Sequence, residues 1–353
     1  MPRFGGGQPG APEPPRTRVA LLLPLTGPQA PLGRAMQQAA ELALFENGSP
    51  DVDFLPRDTG GTTAGAAEAA RRAVADGARL IVGPLTAAET SAASVAARGG
   101  SVPMLAFTND SAQGGPGVWI LGVTPEQQVR RVVGAAISGG ARRLGMAGPD
   151  NAFGRAMASA LRQAAEQAQL PPPVVVLHAP RADAGRVAND LGQQGAGGLD
   201  AVLLAEAGAT ARGIAAQLPN AGLTIPPLRL LGHALWAQEP GLGGEANLVG
   251  ALFAAPDPQA RAAFEARYAA AYGERPPRLV SVAYDAAALA ARAVASGRGQ
   301  PRIESGESIA GADGPLRLAP NGQVERGLAL FSVDAAGEPT LVDAAPRPGL
   351  FGF

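Results

Sequence analysis

The chain has 353 residues, 46% hydrophobic and 17% charged, which is too long for one ordinary core and makes two lobes the natural expectation. With 29 basic and 30 acidic residues its net charge is −1, so it lacks the basic face that a nucleic-acid partner requires. It has no cysteine, which excludes zinc–thiolate sites, iron–sulfur clusters and cysteine nucleophiles, and no apolar run approaches the roughly 18 residues of a membrane-spanning helix.

The first sixteen residues, Met1 to Arg16, are rich in Gly and Pro and cannot pack a core. They read as a flexible tether, left after removal of an export signal. From Thr17 short apolar runs alternate with Ala-rich helical segments. A strand at Val19–Leu23 leads through a turn to a helix from Arg34 to about Glu46, in which Met36, Ala39, Ala40, Ala43 and Leu44 share a face. A strand at Val52–Leu55 and a helix ending near Asp76-Gly77 follow, then a strand at Leu80–Val82. Thr86 to Glu89 fits a capping box, with further strands at Pro103–Phe107 and Val118–Leu121. Thr124 to Gln127, with Pro at the first helical position, is a second capping box. Strands at Leu144–Ala147, Val174–Leu177, Ala201–Leu204 and Leu228–Leu231 then alternate with helices at about 153–169, 184–193 and 208–218. After a strand at Val249–Ala254 come helices at about 257–272 and 280–296. The tail reads as strands, Pro315–Leu318, Gly327–Val333 and Pro339–Val342, with an Asn321-Gly322 hairpin turn.

This alternation implies an α/β protein of two doubly wound parallel-sheet lobes. Ligands bind such sheets beyond the carboxyl ends of the strands, which points to Thr26–Gly33, Arg57–Thr62, Pro84–Thr86, Phe107–Ser111 and Asp150–Phe153. Thr86 heads a helix whose free N–H groups suit an anion. Phe107-Thr108-Asn109 is a short polar turn at a strand end, and Phe153 opens a helix where its ring can close over a ligand. Catalytic equipment is sparse: there is no Walker loop, no dinucleotide fingerprint and no elbow serine. His178 and His233 lack partners at metal-ligand spacing and read as surface or rim residues. No cofactor and no metal is expected, and the chain does not read as an enzyme.

Val19 to Glu46 (VALLLPLTGPQAPLGRAMQQAAELALFE), Leu80–Thr108 with its Gly-Pro turn, Tyr284-Asp285-Ala286 and the Asn321-Gly322 turn resemble type I periplasmic binding proteins of the leucine/isoleucine/valine-binding kind. Pro56 to Thr62 and Leu105 to Asp110 look like the branch of penicillin-binding protein activators, outer-membrane lipoproteins that promote peptidoglycan synthases. The resemblance implies one lobe of 17–122 plus 250–318 and another of 123–249 plus 319–353, with three hinge crossings, a ligand cleft and a periplasmic location. It also implies attachment to the outer membrane through a lipid anchor as the only membrane contact. The cleft residues are then Thr26, Gly27, Asp58, Thr59, Leu85 and Thr86, followed by Phe107, Thr108, Asn109, Phe153, Glu206 and His233.

The family's amino-acid site carries over poorly. Its serine falls near Ala88, its second-lobe aromatic is Phe153 without a hydroxyl, Glu206-Ala207-Gly208 replaces further aromatics, and its acid falls near Ala234. The expected role is that of a non-catalytic activator of peptidoglycan synthases. The alternative is a solute-binding subunit that delivers amino acids or other small polar or anionic molecules to an ABC permease.

Overall fold

The computed structural model describes residues 16–47, 51–239, 241–296, 303, 308–336 and 339–346; the tether expected over 1–16 lies, but for Arg16, outside them. The chain divides into two compact units, Met1–Phe107 with Ala283–Glu304, and Thr108–Val282 with Ser305–Phe353. The backbone therefore passes from one unit to the other three times.

The first unit carries β1 (Thr17–Leu23), β2 (Val52–Asp58), β3 (Leu80–Val82) and β4 (Met104–Ala106) in the order β2-β1-β3-β4. All the pairings are parallel. Val19 to Leu23 are fully buried, as a continuous apolar run in a parallel sheet covered on both faces must be. Strand β2 tolerates Pro56 because it lies at the sheet edge, where a missing N–H breaks no ladder. Helices α1 (Ala30–Glu46), α2 (Thr63–Ala75) and α3 (Ala87–Gly99) connect the strands. The buried stripe of α2 is all alanine, Ala66, Ala69, Ala70 and Ala73, and those of α1 and α3 mix alanine with other residues such as Met36, Leu42 and Ser94, so mostly slender side chains at helical spacing form the packed faces. Helix α1 starts four residues before the expected Arg34, because Pro31 fits a first helical turn without losing a bond. Gly33 permits that start, since a Cβ there would lie 2.1 Å from the Pro24 carbonyl oxygen.

In the second unit, β5 (Val118–Ile120) is followed by α4 (Pro125–Ser138), β6 (Leu144–Pro149), α5 (Ala152–Gln167), β7 (Val174–His178) and α6 (Ala184–Gln194). Next come β8 (Ala201–Leu204), α7 (Gly208–Gln217), β9 (Arg229–Gly232), β10 (Leu252–Ala255), α8 (Pro258–Tyr272) and the start of α9 (Val280–Ser296). After α9 the chain forms β11 (Ser308–Gly311), β12 (Gly314–Leu318), β13 (Val324–Arg326), β14 (Ala329–Val333) and β15 (Pro339–Asp343). The main sheet has the order β15-β14-β10-β9-β8-β6-β7, with β14 and β15 antiparallel additions. Residues alternate between its faces. Ala201 and Leu203 join α4 and α5 in one core, whereas Val202 and Leu204 join α6 and α7 in the other. Phe253 is fully buried and stacks on Phe331 with centroids 5.3 Å apart, and each such ring contributes about 1.5–3 kcal/mol by burial.

The tail differs from its expected pattern. The Asn321-Gly322 turn does close a hairpin, but between β12 and the short β13. The segment expected as one strand, Gly327–Val333, yields only β14, which joins the main sheet. Gly327 and Leu328 separate the two strands and let neighbouring residues join different sheets.

Candidate functional site

The expected residues fall into separate groups, each at the carboxyl ends of parallel strands. In the first unit, Asp58 ends β2 and ties the loop after β1. One carboxylate oxygen accepts from the amides of Leu25 (2.8 Å), Thr26 (3.2 Å) and Gly60 (2.8 Å), and the other from Thr26 Oγ1 (2.6 Å). Partial burial is the largest single influence on this carboxyl and acts upward. The hydrogen bonds from Thr26 and from the Gly60, Leu25 and Thr26 amides together outweigh it and hold the group below the ordinary carboxylate value. Gly27, at φ +77°, makes the loop turn that brings Thr26 back to Asp58.

Beside this loop lies a carboxylate that the sequence reading assigned only to a helix cap. Glu89 is 1% exposed and accepts from Thr59 Oγ1 (2.7 Å), Thr86 Oγ1 (2.8 Å) and the Thr86 amide (3.0 Å). The Thr86 hydroxyl in turn accepts from the Glu89 amide, which completes the expected capping box. The amino end of α3 therefore holds an anion of its own, the favourable charge at that pole of a helix. Leu85 is half-buried next to Thr86, and Phe107 is buried, its amide bonded to the Pro84 carbonyl at 3.0 Å. Thr108 and Asn109 belong to the second unit: Thr108 is buried with its hydroxyl accepting from the Asp110 amide, while Asn109 is exposed.

The second unit gathers Phe153, Glu206 and His233, and adds a residue outside the expected set. His178 is the last residue of β7 and pairs in register with Pro149 of β6. Ala147 of β6 pairs with Leu204 of β8, so Glu206, two residues on, stands level with Pro149. His178 and Glu206 thus flank the end of β6 from either side, and His178 Nε2 meets Glu206 Oε1 at 3.2 Å. That is an ion-pair distance, although the two atoms are not aligned as a hydrogen bond. His178 Nδ1 faces the Ala179 carbonyl at 3.1 Å.

His233 follows β9, whose Leu231 pairs with Leu203 of β8. Its Nε2 donates to the Glu206 carbonyl (3.1 Å), which also accepts from Trp236 Nε1 (2.7 Å). The Phe153 ring meets the His233 ring edge-on at 5.2 Å. Both histidines are buried, His233 to 1% and His178 to 9% exposure, which corrects their expected place on the surface or rim. His178 ends β7 at the edge of the sheet, and His233 follows β9 in its interior. Burial, with Arg278 adding to it, lowers the His233 pKa to about 4, so the ring is neutral near pH 7 and Nδ1 is a bare acceptor. Nδ1 is buried without a partner among the described residues. Burial also raises the Glu206 carboxyl above its ordinary value, against the opposing pull of His178. Among the described residues no group of three or more His, Asp or Glu is arranged to hold a metal ion.

The row His178, Glu206, His233 and Phe153 supplies acceptors and an aromatic edge, and contains no nucleophile set against a base. Sequence reasoning missed His178 because its partner lies 28 residues on and one strand away. The available signal was that His178 and Glu206 both end or closely follow a predicted strand.

Residues 16–338 match the model of a family described as periplasmic binding protein. No curated protein matches the chain in sequence. Among solved structures, a branched-chain amino acid ABC transporter protein from Rhodospirillum rubrum is similar, with TM-score 0.76 and 22% identity over 93% of this chain and 100% of that one. The leucine binding protein LivK from Thermotoga maritima has TM-score 0.61 and 20% identity over 94% and 99% of the two chains. A solute binding protein of an ABC transporter from R. palustris, in complex with 4-hydroxybenzoate, has TM-score 0.63 and 18% identity over 95% and 99%. By the extent of its family match, and with the parallel-sheet lobes of the type I fold, the chain belongs to the periplasmic binding protein family.

Proposed function

We propose that the protein is a non-catalytic, periplasmic solute-binding subunit of an ABC importer, and that it holds its solute at the strand ends of the second unit. The observation that carries this reading is the row of His178, Glu206 and His233 beside Phe153: largely buried polar groups, with acceptor capacity that no described residue fills. Sites of this kind combine an apolar wall with a few convergent polar groups. Structural neighbours described as ABC transporter proteins, one with leucine-binding and one with 4-hydroxybenzoate in their descriptions, support import more than activation of a peptidoglycan synthase. In Pro56–Thr62, one of the segments that suggested the activator role, Asp58 and Thr59 are engaged in the Asp58 and Glu89 networks and Arg57 is paired with Asp76.

A thermal-shift screen tests the proposal, using amino acids, aromatic acids, amines and small neutral solutes. A ligand at 100 times its Kd stabilises by about 2.7 kcal/mol, which is about 5–10 °C for a unit of this size. A shift of that order from one compound, lost in Glu206→Ala, is the expected result. A flat response to the whole panel would overturn the proposal.

A further inference from the structure

One guanidinium of the second unit is held in place but short of partners. Arg278 lies between α8 and α9, and its carbonyl accepts from Arg261 Nη2 at 2.8 Å. Its Nη2 donates to the Ala234 carbonyl at 3.2 Å, just past the carboxyl end of β9. The Ala234 amide donates to Gln128 Oε1 of α4 at 2.8 Å, so Ala234 is anchored on both sides and the guanidinium with it. Nη1 is buried and meets no acceptor among the described residues. The nearby carboxylates are committed elsewhere. Asp313 pairs with Arg261 at 2.6 Å and accepts from Ser281 Oγ at 2.7 Å, while Glu265 pairs with Arg261 and Arg275. His233, the neighbour of Ala234, is neutral near pH 7 and brings no negative charge. Glu206 offers His233 its backbone carbonyl, and its carboxyl group answers to burial and His178 rather than to Arg278.

A charged nitrogen buried without an acceptor is costly, and a guanidinium cannot escape the cost by losing its proton near pH 7. Arg278 therefore calls for an anion. The first unit's expected anion site does not compete for it: at the amino end of α3, Glu89 already takes the Thr86 amide and hydroxyl. Leu235 and Leu279, the residues after Ala234 and Arg278, are exposed at 51% and 54%. Large apolar side chains thus border the guanidinium, which suits an organic anion over an inorganic one. On the reading that the second unit holds a solute at its strand ends, we propose that Arg278 is a specificity-determining residue that binds the solute's carboxylate through Nη1. The solute is then an organic monocarboxylate, because one guanidinium without an ion-pair partner matches a single negative charge. Hydrogen bonds from a guanidinium to a carboxylate are among the strong ones, and this one replaces nothing that the protein already makes. No proton moves and no covalent bond changes.

The test is calorimetric titration of the full chain at pH 7.5 with phenylacetate, 4-hydroxyphenylacetate and 4-methylpentanoate, with the primary amide of each, and with sulfate. At least one acid is expected to bind, one molecule per chain, with its amide and sulfate at least tenfold weaker. Arg278→Met and Arg278→Gln each remove the charge, and each is expected to weaken that acid at least tenfold. Neither should lower the unfolding temperature measured without ligand, since no ion pair is lost; a purely structural arginine would show the reverse pattern. Gln keeps a donor for the Ala234 carbonyl, so it carries the test should the Met variant fail to fold. An amide or sulfate that binds as tightly as the acid overturns the proposal, and so does undiminished acid binding by either variant. Failure of every carboxylate here and in the thermal-shift panel, while a neutral or cationic compound binds, overturns it too but leaves import standing. Failure of all compounds of every charge removes both.

Discussion

Replacing Glu89 by alanine tests the network that organises the first unit's strand ends. The substitution strips an acceptor from Thr59 Oγ1, Thr86 Oγ1 and the Thr86 amide at once. Hydrogen bonds to a charged group contribute about 1.5–3 kcal/mol each, but three that share one carboxylate are not additive. Thr59, 1% exposed, is left with a buried hydroxyl that has lost its acceptor, while removal of a carboxylate from the interior recovers part of its desolvation cost. The balance is a loss of about 2–4 kcal/mol, made up of these bonds and the helix cap. With a urea dependence of about 1–3 kcal/mol per molar, the unfolding midpoint followed by far-UV circular dichroism should fall by about 1 M or more. Thr59→Val combined with Glu89→Ala should cost clearly less than the sum of the two singles, because both remove the same bond. A midpoint within about 0.3 M of wild type would refute the view that Glu89 holds this cluster together.

Gly232→Ala places a Cβ 2.3 Å from the Trp236 ring; overpacking of this kind costs about 1–3 kcal/mol, and urea denaturation should show it together with a change in tryptophan fluorescence. His233, with its pKa lowered to about 4 by burial, binds its proton more weakly folded than unfolded. Its contribution to stability is complete above about pH 6.5 and is lost as pH falls toward 4, to a full extent of about 3 kcal/mol. With only two histidines in the chain, proton NMR should find one ring neutral down to about pH 4, and a ring titrating near 6.5 in both would contradict this. Asp58→Ala should speed hydrogen exchange at the Leu25, Thr26 and Gly60 amides that Asp58 holds. Because the Asp58 carboxyl sits below its ordinary value, the wild-type loop keeps this protection above about pH 4 and loses it as pH falls further.

Local chemistry was legible from residue order. The capping boxes at Thr86/Glu89 and Thr124/Gln127 form as expected, because a helix start is decided within four residues. The alternation of apolar runs with alanine stripes likewise translated directly into parallel sheets with helices on both faces, since side-chain period reflects burial. What depended on strand order was not legible. Glu89 reaches Thr59 because β2 and β3 both flank β1, and His178 reaches Glu206 because β6 lies between β7 and β8. Neither adjacency leaves a trace in local periodicity. Strand β13 escaped for another reason: Val324-Glu325-Arg326 is too short and too polar to give an apolar run.

Binding of a solute at the carboxyl ends of the second unit's strands is tested most directly by calorimetric titration of the strongest stabilising compound into the wild-type chain and into Glu206→Ala at pH 7.5. One molecule bound per wild-type chain, with at least tenfold weaker binding by the variant, is the expected outcome. Equal affinity in the two proteins would place the solute elsewhere and contradict the site.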